Sequence, residues 1–249
     1  MRGRYPGLSD VTYSFGPGRL TPAVKAIMIA NVVVFVLTYF ARNDVMRLLG
    51  LSPAALFGEF AIWQPVTYMF VHAGVSHIFF NMLTLWFVGV DLERMWGTRY
   101  FTKYYFACGL GAGLTQVILG ILPFAFANQF YATPTVGASG AIYGLLLAFA
   151  IYYPTRLFLV FFVFPVQARY FVMILGGLSL LFSLGGGSGV AHTAHLGGLV
   201  SGYLYLKGKR LNIISEIQYR YLKWRINRMR KKFDVYSGGR RDDYDRRVH

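Results

Sequence analysis

This sequence predicts an all-α membrane protein with six transmembrane helices and a basic cytoplasmic C-terminal tail. Apolar residues make up 55% of its 249 residues and charged residues only 14%, whereas an average soluble domain has about 25% charged residues. The charges are unevenly placed, because none occurs over residues 60–90, 104–155 or 170–206. A membrane span needs about 20 apolar residues, so each of these stretches is long enough for one or two crossings. A soluble core would not be so large and so free of charge.

Six spans fit this pattern. They are predicted over residues 22–40, 75–95, 100–122, 138–153, 170–183 and 190–206. Between them the sequence predicts a loop over residues 41–74, a polar segment over 125–137 and a flexible turn, LGGGSG, over 184–189. The segment RLFLVFFVFPVQAR, residues 156–169, contains Pro165 and has an arginine at each end. The sequence leaves open whether residues 157–168 cross the bilayer or lie at its interface.

Loop charges predict the orientation of these spans. Lys and Arg residues cluster before the first span, between the second and third, at both ends of residues 156–169 and in the tail, while only Arg42 and Arg47 lie on the opposite side. The positive-inside rule therefore places both termini in the cytoplasm. We expect a cytoplasmic segment over residues 1–21, a six-span core over 22–206 and a basic cytoplasmic tail over 207–249. The first apolar run is not followed by a small-residue cleavage site, which predicts a retained span in a multi-pass protein of the plasma or inner membrane.

The net charge of +15 comes mainly from the tail, where 14 of the 25 Lys and Arg residues lie. Its segment SEIQYRYLKWRINRMRKKF predicts an amphipathic basic helix beside the membrane that contacts anionic lipid headgroups. Nucleic-acid binding is the alternative for such a charge, but no recognition motif supports it, so we expect no nucleic-acid partner. The single cysteine, Cys108, excludes an intrachain disulfide. The sequence gives no indication of an oligomeric state.

Strongly polar side chains are few in the predicted spans, and each is costly enough in lipid to suggest a function. They are His77, Asn81, Ser139, His192 and His195. Any one of them alone is also explained by a hydrogen bond to a neighbouring helix. Ser139 lies in a Gly-Ala-Ser-Gly sequence that opens the fourth span, where unpaired backbone N–H groups and the helix dipole favour negative charge. Because a serine hydroxyl is a weak nucleophile by itself, Ser139 would need a base nearby.

His195 is the histidine that the spacing of small residues favours as this base. Small residues recur at intervals of four in both helices, as Ala194, Gly198 and Gly202 in the sixth span and as Gly140 and Gly144 in the fourth. Two such stripes let helices pack backbone to backbone, which would bring His195 close to Ser139. His192 lies a turn nearer the extracytoplasmic surface and is the less favoured choice. His77 and Asn81 are four residues apart on one helix face, and both can donate hydrogen bonds to an oxyanion.

Taken together, these motifs resemble the rhomboid family of intramembrane serine proteases over residues 22–206. The matching pieces are WQPVTYMFVH at residues 63–72, His77-IFF-Asn81, ERMWG at residues 93–97, GASG at residues 137–140 and AHLGG around His195. One departure is Gln64, which stands where family members often have arginine, and this puts the hydrogen bonding within the first loop in doubt. The chain is most similar to the bacterial form with six transmembrane helices.

The resemblance implies a role for each site residue. Ser139 would be the nucleophile and His195 its base, without an acidic third member, a metal or a cofactor. His77, Asn81 and the backbone N–H of Ser139 would bind the oxyanion. Tyr143 would pack on the imidazole of His195, and Gly198 would support the dyad from the packing stripe. The resemblance further implies transmembrane protein substrates, cut where their helices unwind easily near the extracytoplasmic side. Glu93 is expected to be structural.

Other activities are disfavoured by what the sequence lacks. A membrane metalloprotease needs an HExxH motif, and an aspartyl protease needs two acids in mid-membrane; neither occurs in the predicted spans. A transporter with paired unwound helices and an acidic relay is not indicated either. The alternative that stays open is a non-catalytic rhomboid-like protein that binds membrane clients. Such proteins lose the serine or the histidine, and this chain keeps both.

Overall fold

The computed structural model describes residues 16–123, 127–160, 163–184, 189–210 and 213–230. The chain divides into two compact units, Met1–Leu206 and Lys207–His249. In chain order the helices are α1 (Pro22–Phe40), α2 (Arg42–Leu49), α3 (Pro53–Gly58), α4 (Gln64–Thr67), α5 (Val75–Thr84), α6 (Val90–Trp96), α7 (Thr98–Ile121), α8 (Ala127–Ala132), α9 (Ser139–Tyr152), α10 (Ala168–Leu184), α11 (Gly189–Arg210) and α12 (Ile213–Arg230). Two short strands, β1 (Leu157–Val160) and β2 (Phe164–Gln167), lie between α9 and α10.

The chain is a largely helical membrane protein. Among the described residues, three helices are long and apolar enough to cross a membrane: α1, the helix Val75–Trp96 and α7. In the second of these, a π-helical segment over Leu85–Gly89 joins α5 to α6. The three helices match the first three predicted spans to within two residues at each end. Helices α9 and α10 coincide with the fourth and fifth predicted spans, but they are shorter apolar helices. Helix α11 coincides with the sixth predicted span. Its glycines, histidines and basic end make it less apolar than the helices of the other five predicted spans.

The prediction of a purely α-helical chain is wrong over the segment between α9 and α10. There β1 and β2 form an antiparallel hairpin, in which Phe158 pairs with Val166 and Leu159 with Pro165. This segment is rich in β-branched and aromatic residues, which pack well on a pleated surface. A proline in a helix interior removes a hydrogen bond and clashes with the preceding turn, whereas an edge strand tolerates it.

The predicted loop over residues 41–74 is also more regular than expected. It contains α2, α3, α4 and a 3₁₀ turn over Tyr68–Phe70. Ser52 is the N-cap of α3, because its hydroxyl accepts a hydrogen bond of 3.2 Å from the Ala55 N–H. Pro53 fits the first helical position. Gln64 bonds within this loop, since its side chain accepts from the Ser52 N–H and donates to the Arg47 carbonyl at 3.0 Å. The glutamine therefore supplies hydrogen bonds inside the loop.

The segment before α9 also contains regular structure. It contains α8, and its Thr135 pairs with Leu51 through two backbone hydrogen bonds of 2.8 and 3.0 Å. This bridge connects the first loop to the chain that leads into α9. Residues 185–188 of the predicted LGGGSG turn and residues 231–249 of the predicted tail lie outside the described residues. In the second unit, α12 covers most of the predicted basic helix.

Helices α7, α9 and α11 pack through small residues. A methyl group added to Gly198 of α11 would overlap the backbone carbonyl of Gly140 in α9, and one added to Gly202 would lie 3.1 Å from the Cα of Gly144. Helix α7 contributes Ala112, which is close to Gly140. Backbones can approach this closely only where side chains are absent or very small. The small-residue stripes predicted from the sequence therefore face each other in the structure.

The buried carboxylate of Glu93, which belongs to α6, joins this helix to the N-terminal ends of α1 and α7. It accepts hydrogen bonds of 2.9 Å from the backbone N–H groups of Ala23 and Val24, which start α1, and one of 2.7 Å from the Thr98 hydroxyl, which starts α7. Thr21 donates a further one. The first N–H groups of a helix have no partner within the helix, so an anionic acceptor stabilises them. These contacts agree with the structural role expected of Glu93.

Candidate functional site

Ser139 is the first residue of α9, and the turn before it depends on Gly137. Gly137 has a φ of 120°, a backbone conformation that side chains with a Cβ rarely adopt. Its N–H donates a 2.9 Å hydrogen bond to the carbonyl of Tyr68, which ties the turn to the 3₁₀ segment of the first loop. As a result the chain enters α9 abruptly, and the Ser139 side chain lies at the N-terminal end of the helix. The dipole of that helix end favours negative charge.

The structure brings Ser139 and His195 within hydrogen-bond distance. Ser139 Oγ lies 2.8 Å from His195 Nε2, although the two residues are 56 positions apart. The ring of Tyr143 stacks on the His195 imidazole with a centroid separation of 4.1 Å and an angle of 10°. Ser179 of α10 donates a hydrogen bond to the Tyr143 hydroxyl at 3.4 Å. Tyr143 thus limits how far the imidazole can tilt away from Ser139.

The opposite nitrogen of the His195 ring has no acidic neighbour among the described residues. Its Nδ1 is buried and has no hydrogen-bond partner within that part of the chain. The other histidine of α11, His192, lies edge-on with a ring separation of 5.9 Å. His192 packs against the ring of Phe182 at 5.1 Å. Of the two histidines, it is His195 whose ring nitrogen is close to the Ser139 hydroxyl.

His77 lies on the other side of Ser139, at Gly137. A Cβ built on Gly137 would be 2.8 Å from the His77 ring atoms Cε1 and Nε2, and 3.7 Å from Ser139 Oγ. The His77 imidazole and the Ser139 hydroxyl therefore border the same small space, which any side chain at position 137 would fill. An imidazole nitrogen that carries a proton could donate a hydrogen bond into this space.

Asn81 belongs to the same helix face as His77, and its side chain contacts His72, a residue without a predicted role. Its Nδ2 lies 2.9 Å from Nε2 of His72, a fully buried histidine. The His72 ring in turn packs edge-on against His77 at 4.9 Å. The only sequence signal for this role was that His72 ends the WQPVTYMFVH motif, five residues before His77. His72 thus contacts both residues predicted to bind an oxyanion.

The protonation state of His72 determines the direction of its hydrogen bonds. Burial, with a smaller effect from nearby His77, lowers the pKa of His72 to about 4, so its imidazole is neutral near pH 7. The Nδ1 lies 3.4 Å from the Phe70 carbonyl, which can only accept a hydrogen bond, so we assign the ring proton to Nδ1. Nε2 then accepts from the Asn81 amide. One of the two N–H bonds of that amide is used, and the other is left for a second acceptor.

The arrangement can support nucleophilic chemistry at Ser139. Its hydroxyl is close to an imidazole that can take a proton, the helix N-terminus favours an anion beside it, and hydrogen-bond donors border the space at Gly137. Ser139, His195, Tyr143 and His77 meet directly at this site, while Gly198 lies one turn below His195 at the contact with Gly140. Asn81 is linked to it through His72.

The sequence is similar to those of known proteins. The family model of the Rhomboid domain matches residues 59–209. The chain is 29% identical over 164 residues to Rhomboid protease GluP of Bacillus subtilis, covering 65% of this chain and 29% of that protein. It is 30% identical over 184 residues to the mitochondrial RHOMBOID-like protein 12 of Arabidopsis thaliana, covering 70% and 54%. It is 28% identical over 212 residues to Rhomboid protease AarA of Providencia stuartii, covering 79% and 74%.

The chain therefore spans about half or less of the length of the first two of these relatives. The matched domain nevertheless covers more than half of this chain and includes every residue of the site described above. This protein belongs to the rhomboid family.

Proposed function

We propose that this chain is an intramembrane serine endopeptidase that hydrolyses peptide bonds in or near the transmembrane segments of membrane-protein substrates. The observation that carries the proposal is the 2.8 Å distance between Ser139 Oγ and His195 Nε2. Relatives named as rhomboid proteases support it. A non-catalytic, client-binding protein is the alternative. Binding of a client would not require the Ser139 hydroxyl and the His195 imidazole to lie within hydrogen-bond distance.

The proposed reaction proceeds through an acyl-enzyme. Ser139 Oγ attacks the carbonyl carbon of the scissile peptide bond, and its proton passes to His195 Nε2. When the tetrahedral intermediate collapses, the C–N bond breaks and His195 gives that proton to the leaving amine. A water molecule then attacks the ester, with His195 again taking and returning a proton, and Ser139 is released. Tyr143 keeps the imidazole in line with Ser139 throughout.

Hydrogen-bond donors beside Ser139 would stabilise the oxyanion. The backbone N–H of Ser139 belongs to the first turn of α9, and His77 borders the space at Gly137. Asn81 would use the N–H that does not donate to His72. Preorganised donors of this kind act without reorganisation during the reaction, which is why their orientation matters. We assign His72 as the positioning residue that orients Asn81.

The proposed topology has six spans, formed by α1, the helix Val75–Trp96, α7, α9, α10 and α11, with both termini in the cytoplasm. The 14 residues of α9 are only about 21 Å long, whereas the hydrocarbon core is about 30 Å thick. Ser139 would therefore lie below the extracytoplasmic surface, where the segment before α9 covers it and water reaches it from that side. The basic tail would contact anionic headgroups of a plasma or inner membrane.

Ser139→Ala should abolish cleavage of a transmembrane reporter substrate in proteoliposomes, because the nucleophile is lost. Loss of this nucleophile costs a soluble serine protease about 10⁶-fold in kcat. A fluorophosphonate probe should label only the wild type. Ser183→Ala is the matched control, since that hydroxyl donates within α10 to the Ser179 carbonyl and touches no proposed catalytic group. Undiminished cleavage by Ser139→Ala would contradict the proposed dyad and favour another mechanism.

The two histidines of α11 should behave differently. His195→Ala should lose both cleavage and fluorophosphonate labelling, because the variant lacks the ring nitrogen that lies 2.8 Å from Ser139 Oγ. His192→Ala should keep measurable activity, since His192 packs beside the dyad without bonding Ser139. Both rates are measured on protein with a wild-type thermal midpoint. Activity that survives in His195→Ala and is lost in His192→Ala would reverse the assignment.

His72 and Asn81 should act as one unit. His72→Ala and Asn81→Ala should each lower kcat with little change in KM, by up to the ~10²–10³-fold that one oxyanion donor is worth. Because His72 acts by orienting Asn81, the double variant should be scarcely slower than Asn81→Ala alone. Thermal midpoints identify any variant that fails to fold. Losses that multiply in the double variant would show that His72 does not act through Asn81.

A further inference from the structure

The β1–β2 hairpin lies at the end of the bundle opposite Ser139. It follows the C-terminal end of α9, whose N-terminal residue is Ser139, and it leads directly into α10. Nearby, Tyr153 donates a hydrogen bond to the sulfur of Met95, and Arg156 pairs with Asp91 at 3.4 Å. Both partners belong to α6. The hairpin is thus attached at the end of the bundle that contains the C-terminal ends of α6 and α9.

One face of the hairpin is fixed to the helices. Phe158 of β1 packs against Phe149 of α9 with a ring separation of 5.4 Å and against Phe171 of α10 at 5.1 Å. Its cross-strand partner Val166 is half-buried. This face has a clear packing role, because it holds the ends of two helices together.

The other face is apolar and uncovered. Leu157 and Leu159, which alternate with Phe158 along β1, are 58% and 59% exposed, and Pro165, the cross-strand partner of Leu159, is exposed as well. In α10, which follows the hairpin, Met173 is also exposed. A cluster of exposed apolar side chains such as Leu157, Leu159 and Pro165 is costly in water and indicates an interaction site.

The backbone determines which environment fits. The sheet among the described residues has two strands, so each strand keeps one edge whose N–H and C=O groups lack a strand partner. An open sheet edge does not occur in the hydrocarbon core, where nothing satisfies those groups. At the bilayer interface, water and headgroups can satisfy the edges while the apolar face reaches the acyl chains. Four residues per strand extend only about 13 Å, less than the ~15 Å hydrocarbon thickness of one leaflet.

The polar groups of the hairpin lie where headgroups would be. Arg156 and Arg169 stand at its base, on either side of the two strands. Arg169 donates a 2.9 Å hydrogen bond to the Gln167 side chain, and its guanidinium lies 4.8 Å above the Tyr170 ring. Arginine and tyrosine are residues that anchor proteins at the membrane–water interface. The base is therefore suited to phosphate headgroups and the outer face to acyl chains.

We propose that the β1–β2 hairpin is a lipid-binding surface, which lies in the interface of the leaflet opposite Ser139 with Leu157 and Leu159 among the upper acyl chains. Its partner is the phospholipid of that leaflet. Because Phe158 joins it to α9 and α10, the hairpin fixes the depth of both helices at this end. The proposal depends on the membrane location of the chain and not on its catalytic activity.

Site-directed spin labelling tests this surface in the full-length protein. Labels are placed at Leu157→Cys and Leu159→Cys in a Cys108→Ala background and reconstituted into liposomes of phosphatidylethanolamine and phosphatidylglycerol. Oxygen, which concentrates in hydrocarbon, should relax both labels more than a water-soluble nickel chelate does. Glu59→Cys is the control, because Glu59 is an exposed polar residue of the first loop and its label should show the reverse preference.

Each other outcome overturns the proposal. Stronger relaxation by the nickel chelate at positions 157 and 159 would show that the face is in water. Immobilised spectra that neither reagent relaxes would show that protein covers it, either a second copy or another segment of this chain. Unchanged cleavage of the reporter by the labelled variants shows that the fold is intact, and in the absence of cleavage the thermal midpoint supplies that control.

Discussion

The backbone contact between Gly140 of α9 and Gly198 of α11 sets the geometry of the site. Ser139 immediately precedes Gly140, and His195 lies about one helical turn before Gly198, so the distance between the two helices determines the distance between Oγ and Nε2. No side chain fits between the backbones at this point, because a methyl group on Gly198 would overlap the Gly140 carbonyl. Ala112 of α7 supports the same contact from a third helix. The close approach of Ser139 and His195, on which the proposed dyad depends, is thus a consequence of helix packing in a region where few polar groups can be tolerated.

Two flanking interactions complete the site from independent parts of the fold. On one side Tyr143 stacks on His195 and restrains its imidazole, as a buried acidic residue does in the Ser-His-Asp triad. On the other side His72, from the first loop, orients Asn81 and packs on His77. The first loop is in turn held to the segment before α9 by Leu51 and Thr135. The first loop therefore supports both His72 and the turn before Ser139, to which it is also bonded through the Tyr68 carbonyl and the Gly137 N–H.

Local signals explain what the sequence predicted and what it did not. Charge-free runs and small residues at intervals of four are visible along one segment, so the long helices and the facing stripes of α9 and α11 were predictable. The hairpin was not, because an apolar run such as LFLVFFVFPVQ suits a strand, a short helix or a membrane span until its neighbours are known. His72 was missed because its contact with Asn81 exists only after the first loop folds back on α5. The catalytic roles stay predictions, which the geometry supports.

The central claim is that the approach of α9 and α11 creates the reactive serine, and the rate of fluorophosphonate labelling of Gly198→Ala tests it most directly. The added methyl group must push the helices apart, and a misplacement of about 1 Å costs on the order of 10²-fold in rate. The matched control is Gly177→Ala, because a Cβ at Gly177 of α10 meets no atom within 4 Å. The account predicts slow labelling of folded Gly198→Ala and a wild-type rate for Gly177→Ala. Wild-type labelling of folded Gly198→Ala would contradict it.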